Sequence, residues 1–128
     1  MNWDEYENFT EDEFRCQCGC GETNMDPDFM YSLQSLRRSY GKGMTVTSGY
    51  RCPEHNNRVS STGLGGPHTT GKAADIAVQR GDAYELLKLA VLHPFTGYGI
   101  NQKGHGRFIH LDTLRVKEGH PRPTVWSY

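Results

Sequence analysis

Two stretches carry residues able to do chemistry: GGPHTTGKAADIAV at residues 65–78 and RFIHLDT at residues 107–113. In the first, His68 and Asp75 are the polar ends of a run whose inner residues are mostly small. The backbone between them can fold back and bring both side chains to one point. In the second, strand alternation sends Phe108, His110 and Asp112 to one face and Ile109 and Leu111 to the other. His68, Asp75 and His110 then make an N/O/N set suited to zinc, because catalytic zinc sites use three protein ligands and keep one position for water. An ion held this way lowers the pKa of a bound water to about 7 and polarises a carbonyl, which points to amide hydrolysis. The competing reading gives each residue a surface or hydrogen-bonded role, since six histidines offer many accidental triads.

The elements that must position these groups are legible in outline. FTEDEF opens a short helix: Thr10 caps it with Glu13 three residues on, and Phe9 and Phe14 close a hydrophobic staple. Asp26-Pro27 starts a longer helix in which Phe29, Met30, Leu33 and Leu36 recur at helical spacing, ending near Gly41. MTVTSGYR contains a short strand, CPEHNNRV begins a helix, and SSTGLGGP is a flexible Gly/Ser-rich loop. KAADIAV is a strand, followed by a helix with Asp82 as its cap, which His93-Pro94 ends. FTGYGIN and RFIHLDT supply further β segments, and a Pro-rich tail closes on VWSY. Helices first and strands later predict a small α+β domain, an antiparallel sheet with helices packed on it.

Composition narrows the function classes. At 128 residues one domain is expected, spanning residues 1–128 with a Cys-rich segment at about 14–22. A net charge of −1 argues against a non-specific nucleic-acid binder, whose footprint would be basic. A mean hydropathy of −0.72, with no run of membrane-spanning length, argues against stable membrane insertion. The acidic start MNWDEYENFTEDEF is unlike a secretory signal, so synthesis in the cytoplasm is expected. Cys16, Cys18 and Cys20 in CQCGC, with Cys52, do not match the two-residue knuckle of a zinc ribbon. Buried thiols, or one disulfide to Cys52, are favoured over a structural zinc site or a metal-stabilised interaction motif there.

SGYRCPEHN, HTTGKAADI and GYGINQKGHGRFIHLD, in that order, resemble the zinc D-Ala-D-Ala peptidase superfamily, which also contains hedgehog signalling domains. The likeness is greatest to the small peptidoglycan-peptidase branch of phage endolysins and murein endopeptidases, and covers roughly residues 9–128. It implies zinc ligands at His68, Asp75 and His110, with Gly71 permitting a tight turn and Ala73 packed beneath. It places Arg51 where relatives bind the substrate carbonyl or carboxylate and stabilise an oxyanion, a role suited to a planar guanidinium; a structural salt bridge is the alternative.

The resemblance departs at Arg107, where several relatives carry an acid three residues before the last ligand, and at Gly66, where Ser is usual. Asp112 is the substitute for that acid, as base or as the partner that orients His110, with His105 assisting at a position where some relatives carry a second catalytic His. His55, His93 and His120 read as helix-surface or loop residues, and Trp126 and Tyr128 as packing or groove residues. The expected function is zinc-dependent hydrolysis of peptidoglycan stem peptides by a monomer, after holin-type release or as a virion component. The bond is left open among D-Ala-D-Ala carboxypeptidase, endopeptidase and L-alanyl-D-glutamate specificities. The alternative is a hedgehog-like zinc-binding module without turnover.

Overall fold

A computed structural model describes residues 1–128. Helices α1 (Glu11–Phe14), α2 (Pro27–Tyr40), α3 (Pro53–Val59) and α4 (Arg80–Ala90) accompany strands β1 (Thr45–Ser48), β2 (Ala73–Ala77), β3 (Gly97–Asn101), β4 (Phe108–Asp112) and β5 (Thr124–Ser127). The fold class is α+β, as the order of elements predicts.

Local chemistry explains the helices. The Glu13 carboxylate accepts from the Thr10 amide at 2.6 Å, and the Phe9 and Phe14 rings meet edge-on at 5.5 Å, so the box and staple both form. Asp26 accepts from the Phe29 amide at 2.9 Å and opens α2, which Gly41 closes at a left-handed φ of +70°. Phe29, Met30, Leu33 and Leu36 are buried, each contributing roughly 1.5–3 kcal/mol of transfer free energy. They join Ala83, Leu86 and Ala90 of α4 in one core under the sheet. Helix α4 opens earlier than expected: Gln79 takes the N-cap position, and Asp82 sits in the first turn, paired with Lys42 at 2.8 Å.

The strands lie in the order β1-β2-β4-β3-β5. Every pairing is antiparallel except β3 with β5, so the sheet is mixed where an antiparallel one was expected. Partner occupancy is the reason. The chain leaves β4 at Asp112 and starts β5 beside Gly97, at the same end of the sheet, but β3 already fills that edge of β4. A strand turning back there must pass β3 and run parallel to it. VWSY, read only as a tail, is therefore an edge strand.

Alternation splits the sheet into two faces. Ala74, Ile76, Ile109 and Leu111 enter the core. On the other face one cross-strand row runs Ser48, Asp75, His110, Gly99, Trp126 through all five strands. The adjoining row places Ala73, Asp112, Gly97 and Thr124 side by side. Two residues far apart in the chain, Asp75 and His110, become neighbours through register alone.

Candidate metal centre

His68 reaches the Asp75–His110 pair from a short 3-10 turn, Pro67–Thr70. Gly71 ends that turn at φ +75°, and a Cβ there would overlap the Asn24 carbonyl, so only glycine lets the chain double back into β2. The segment before it is less free than its composition suggests: buried Asn56 donates to Thr62 Oγ1 at 2.9 Å and to the Gly63 carbonyl at 2.5 Å. A side chain at Gly66 would meet Thr62, whose hydroxyl already occupies that space.

His68, Asp75 and His110 are all buried, and their ligand atoms lie within 4.8 Å of one another. His68 Nε2 and His110 Nδ1 face the same carboxylate oxygen, Asp75 Oδ1, at 3.2 and 3.1 Å. The outer nitrogens are both engaged: His68 Nδ1 with the Gly49 carbonyl at 2.7 Å, His110 Nε2 with Asp112 Oδ2 at 2.8 Å. Those partners are acceptors, so each outer nitrogen carries the proton and each inner one keeps its lone pair in the neutral ring. Two lone pairs and a carboxylate converge on one point, and the donor set fits a divalent zinc ion.

The same contacts couple the carboxylates and the rings as opposite charges. Burial pushes the Asp75 carboxyl up, but hydrogen bonds to His110 and His68 outweigh it and hold the group well below the usual carboxylate range. Burial likewise lowers His110, yet the flanking Asp112 and Asp75 leave it raised. Asp112 is pushed up by burial and pulled down further by His110 and Arg122, to about 2. Its fully buried carboxylate accepts from Arg122 Nε at 2.9 Å, Arg122 Nη2 at 2.7 Å and the Leu114 amide at 3.3 Å, besides His110.

A cleft of about 680 Å³ opens over the triad. Arg51 lines it with Nη2 3.8 Å from Asp75 Oδ2, and Asn56 accepts from its Nη1 at 3.2 Å. Phe108, Trp126 and Tyr128 form an aromatic wall; the Trp126 ring lies 5.0 Å from His110, and the Arg122 guanidinium stacks on Trp126 at 5.1 Å. His105 is exposed on the β3–β4 connection and is not among the lining residues. His93 caps its own helix by bonding the Leu89 carbonyl, while Tyr50 and Tyr98 serve packing and backbone bonds. His120, read as a loop residue, does line the cleft.

Arg122 escaped sequence reasoning altogether. Its only signal was a basic residue between two prolines, which says nothing about a partner ten positions away. The alternate glycines of GYGIN were missed as well. A Cβ at Gly99 would stand 2.8 Å from the Trp126 ring and 2.9 Å from His110 Cβ, and one at Gly97 would overlap the Asp112 carboxylate. Strand β3 thus supplies empty floor on which the site's side chains lie. Gly99→Ala should cost about 1–3 kcal/mol by overpacking and weaken zinc binding at the histidines roughly 10–100-fold. Thermal melts and competition with a zinc chelator would read both; unchanged affinity would contradict this account of β3.

With this geometry in place, the comparison with known families is decisive: the model for the family described as Peptidase M15 matches residues 7–112. The chain belongs to the Peptidase M15 family. A search of curated proteins finds no match. Membership implies a metallopeptidase, and the His68–Asp75–His110 group is a ligand set that can hold its zinc. The match takes in all three of these residues, Arg51 and Asp112; residues 113–128, with Arg122 and Trp126, lie beyond it. No helix is long and apolar enough to cross a membrane.

Proposed function

We propose that this M15 peptidase hydrolyses amide bonds in the stem peptides of peptidoglycan, acting as a monomer in an endolysin-like role on the cell wall, of phage or related lytic origin. The observation that carries the proposal is the convergence of His68, Asp75 and His110 at the base of a cleft that Arg51 also lines. Zinc bound there supplies a Lewis acid for a substrate carbonyl and acidifies a water.

The chain's own groups do the rest. Arg51 holds a permanent positive charge beside the triad, where it can bind a stem-peptide carboxylate or the oxygen on which charge develops. Asn56 fixes the guanidinium plane from behind. Of the two roles open to Asp112, the positioning one suits it: all its acceptor sites are taken and none of its surface reaches the cleft. It holds the His110 ring with Nδ1 turned inward. The aromatic wall gives the flat faces of a peptide something to lie against and keeps bulk water from one side.

Digestion of defined muropeptides followed by mass spectrometry tests the proposal, because new amine and carboxyl ends identify the scissile bond directly. Arg51→Lys keeps the charge but loses the planar fork. It should lower kcat by about 10²–10³-fold, the size of a lost oxyanion donor, with zinc content unchanged. Equal activity in Arg51→Lys would remove Arg51 from the reaction.

One observation favours a second reading, a hedgehog-like zinc-binding module without turnover. Asp75 is the sole acidic side chain lining the cleft, and Arg107 stands where several relatives carry an acid. Zinc-replete protein that leaves every muropeptide intact would establish that reading instead.

A further inference from the structure

We propose that Cys16, Cys18, Cys20 and Cys52 form a second, closed zinc site that clamps the N-terminal segment to the loop bearing Arg51. The four sulfurs lie within 4.8 Å of one another, with Cys16–Cys18 at 3.5 Å and Cys18–Cys52 at 3.6 Å. Zinc–sulfur bonds of about 2.3 Å in a tetrahedron set neighbouring sulfurs ~3.8 Å apart, so the thiols already stand near the edges of one coordination shell.

Packing explains Cys16 and Cys52, which lie in or against the core, but not Cys18 and Cys20. Only Cys16 is buried; Cys18 and Cys20 are exposed and Cys52 is half-buried, so the group forms no apolar core of its own. The sulfurs instead attract amide donors. The Cys52 N–H points to Cys16 Sγ at 3.3 Å and the His55 N–H to Cys52 Sγ at 3.4 Å, the hydrogen bonds that a metal thiolate requires to spread its charge.

The alternating spacing, which does not match a two-residue zinc knuckle, is accommodated by two glycines. Gly19 and Gly21 adopt φ values of +88° and +80°, and a Cβ on either would meet open space. They are present for conformation alone, turning the chain so that alternate cysteines do not splay apart. Arg15 closes the same turn by donating to the Gly21 carbonyl at 2.9 Å, and the Cys16 amide donates to the Glu22 carbonyl at 2.9 Å. Four thiolates leave no open position, so the site is structural.

What it would hold is specific. Cys52 follows Arg51 directly and is the N-cap of α3, the helix that carries Asn56 to the Arg51 guanidinium. The Tyr50 amide is bonded to the Phe14 carbonyl at 2.9 Å, close to the cysteine turn. A metal bridging residues 16–20 to Cys52 therefore fixes one flank of Arg51, while the Tyr50–Phe14 bond holds the other. This inference stands on sulfur geometry and not on the peptidase reading, and either can fail without the other.

The test counts metal in protein purified without chelator. Wild type should carry two zinc ions per chain, and the His68→Ala/His110→Ala double variant should keep one. Titration of wild type with an organomercurial should release one zinc, and the cobalt-substituted double variant should show thiolate-to-cobalt charge-transfer absorption. Cys18→Ser and Cys52→Ser should each lower the count from two to one; should they not fold, the mercurial and cobalt measurements on chains with intact cysteines still decide. A single zinc that the histidine variant loses, a cobalt spectrum without the charge-transfer band, iron in place of zinc, or disulfides in the intact mass of fresh protein would each overturn the proposal.

Discussion

Replacing His110 with Ala should remove one zinc equivalent and bring peptide hydrolysis to background. Asp75→Asn should do the same. Each supplies a ligand atom to the same point, within 4.8 Å of the others, so neither loss leaves a complete set. Lewis-acid stabilisation is worth several kcal/mol, and at about 1.4 kcal/mol per tenfold that is a fall of roughly 10³-fold or more. The losses should not add: the double variant should resemble either single one, because a site missing one ligand has already lost its ion. His93→Ala, whose ring bonds only the Leu89 carbonyl at the end of α4, is the control expected to leave turnover intact. Zinc content by elemental analysis and muropeptide cleavage on the same samples provide the measurement. Full hydrolysis by His110→Ala would sink the site as drawn.

The second large effect falls on stability. Asp112→Ala strips partners from two buried groups at once: the Arg122 guanidinium, whose side chain is only 5% exposed, and the His110 ring, 2% exposed. Breaking a buried ion pair from one side costs about 3–5 kcal/mol, because the remaining charge is left without water or partner. For a chain of this length that is a drop in Tm of about 10–20 °C. The pair variant Asp112→Leu/Arg122→Met should recover much of the loss, since it removes both charges together. A pair variant no more stable than Asp112→Ala would show that the ion pair is not the source.

The sign of the pH dependence follows from the same contacts. The Asp112 carboxyl is depressed from the ordinary 3.8 to about 2, so its contribution is complete above the ordinary value and is lost as pH falls through the lower one. Wild type should therefore lose its advantage over Asp112→Asn between those two pH values, with no change in the gap at neutral pH. Denaturant melts of the two proteins across that range would read it.

Much of the fold could be taken from short-range chemistry. The capping box at Thr10 and Glu13, the Asp26-Pro27 start, the Gly41 stop and the apolar spacing of α2 all act within a few residues, and all appear as expected. Helix α4 takes its N-cap at Gln79 instead of Asp82, whose carboxylate is turned to Lys42, forty positions earlier. The segment 60–66, rich in Gly and Ser, looked free because its anchor, Asn56, belongs to another element.

The candidate site divides the same way. The types and local spacing of His68, Asp75, His110 and Asp112 are written in the chain, and strand alternation alone places His110 and Asp112 on one face. That these groups meet was decided by the register of β2 on β4, and that they have room was decided by β3 laying Gly97 and Gly99 beneath them. Arg122 and the β5 edge belong to the tertiary structure entirely, and it alone decides that Trp126, read as a packing or groove residue, lines the cleft. The gathering of Cys52 with the CQCGC turn belongs to it as well. Short-range steric and hydrogen-bonding preferences act between residues close in the chain, and a sequence displays them directly. The site depends on contacts whose partners are 35 positions apart for Asp75 and His110 and 34 for Cys18 and Cys52, and these exist only once the whole sheet and its loops have closed.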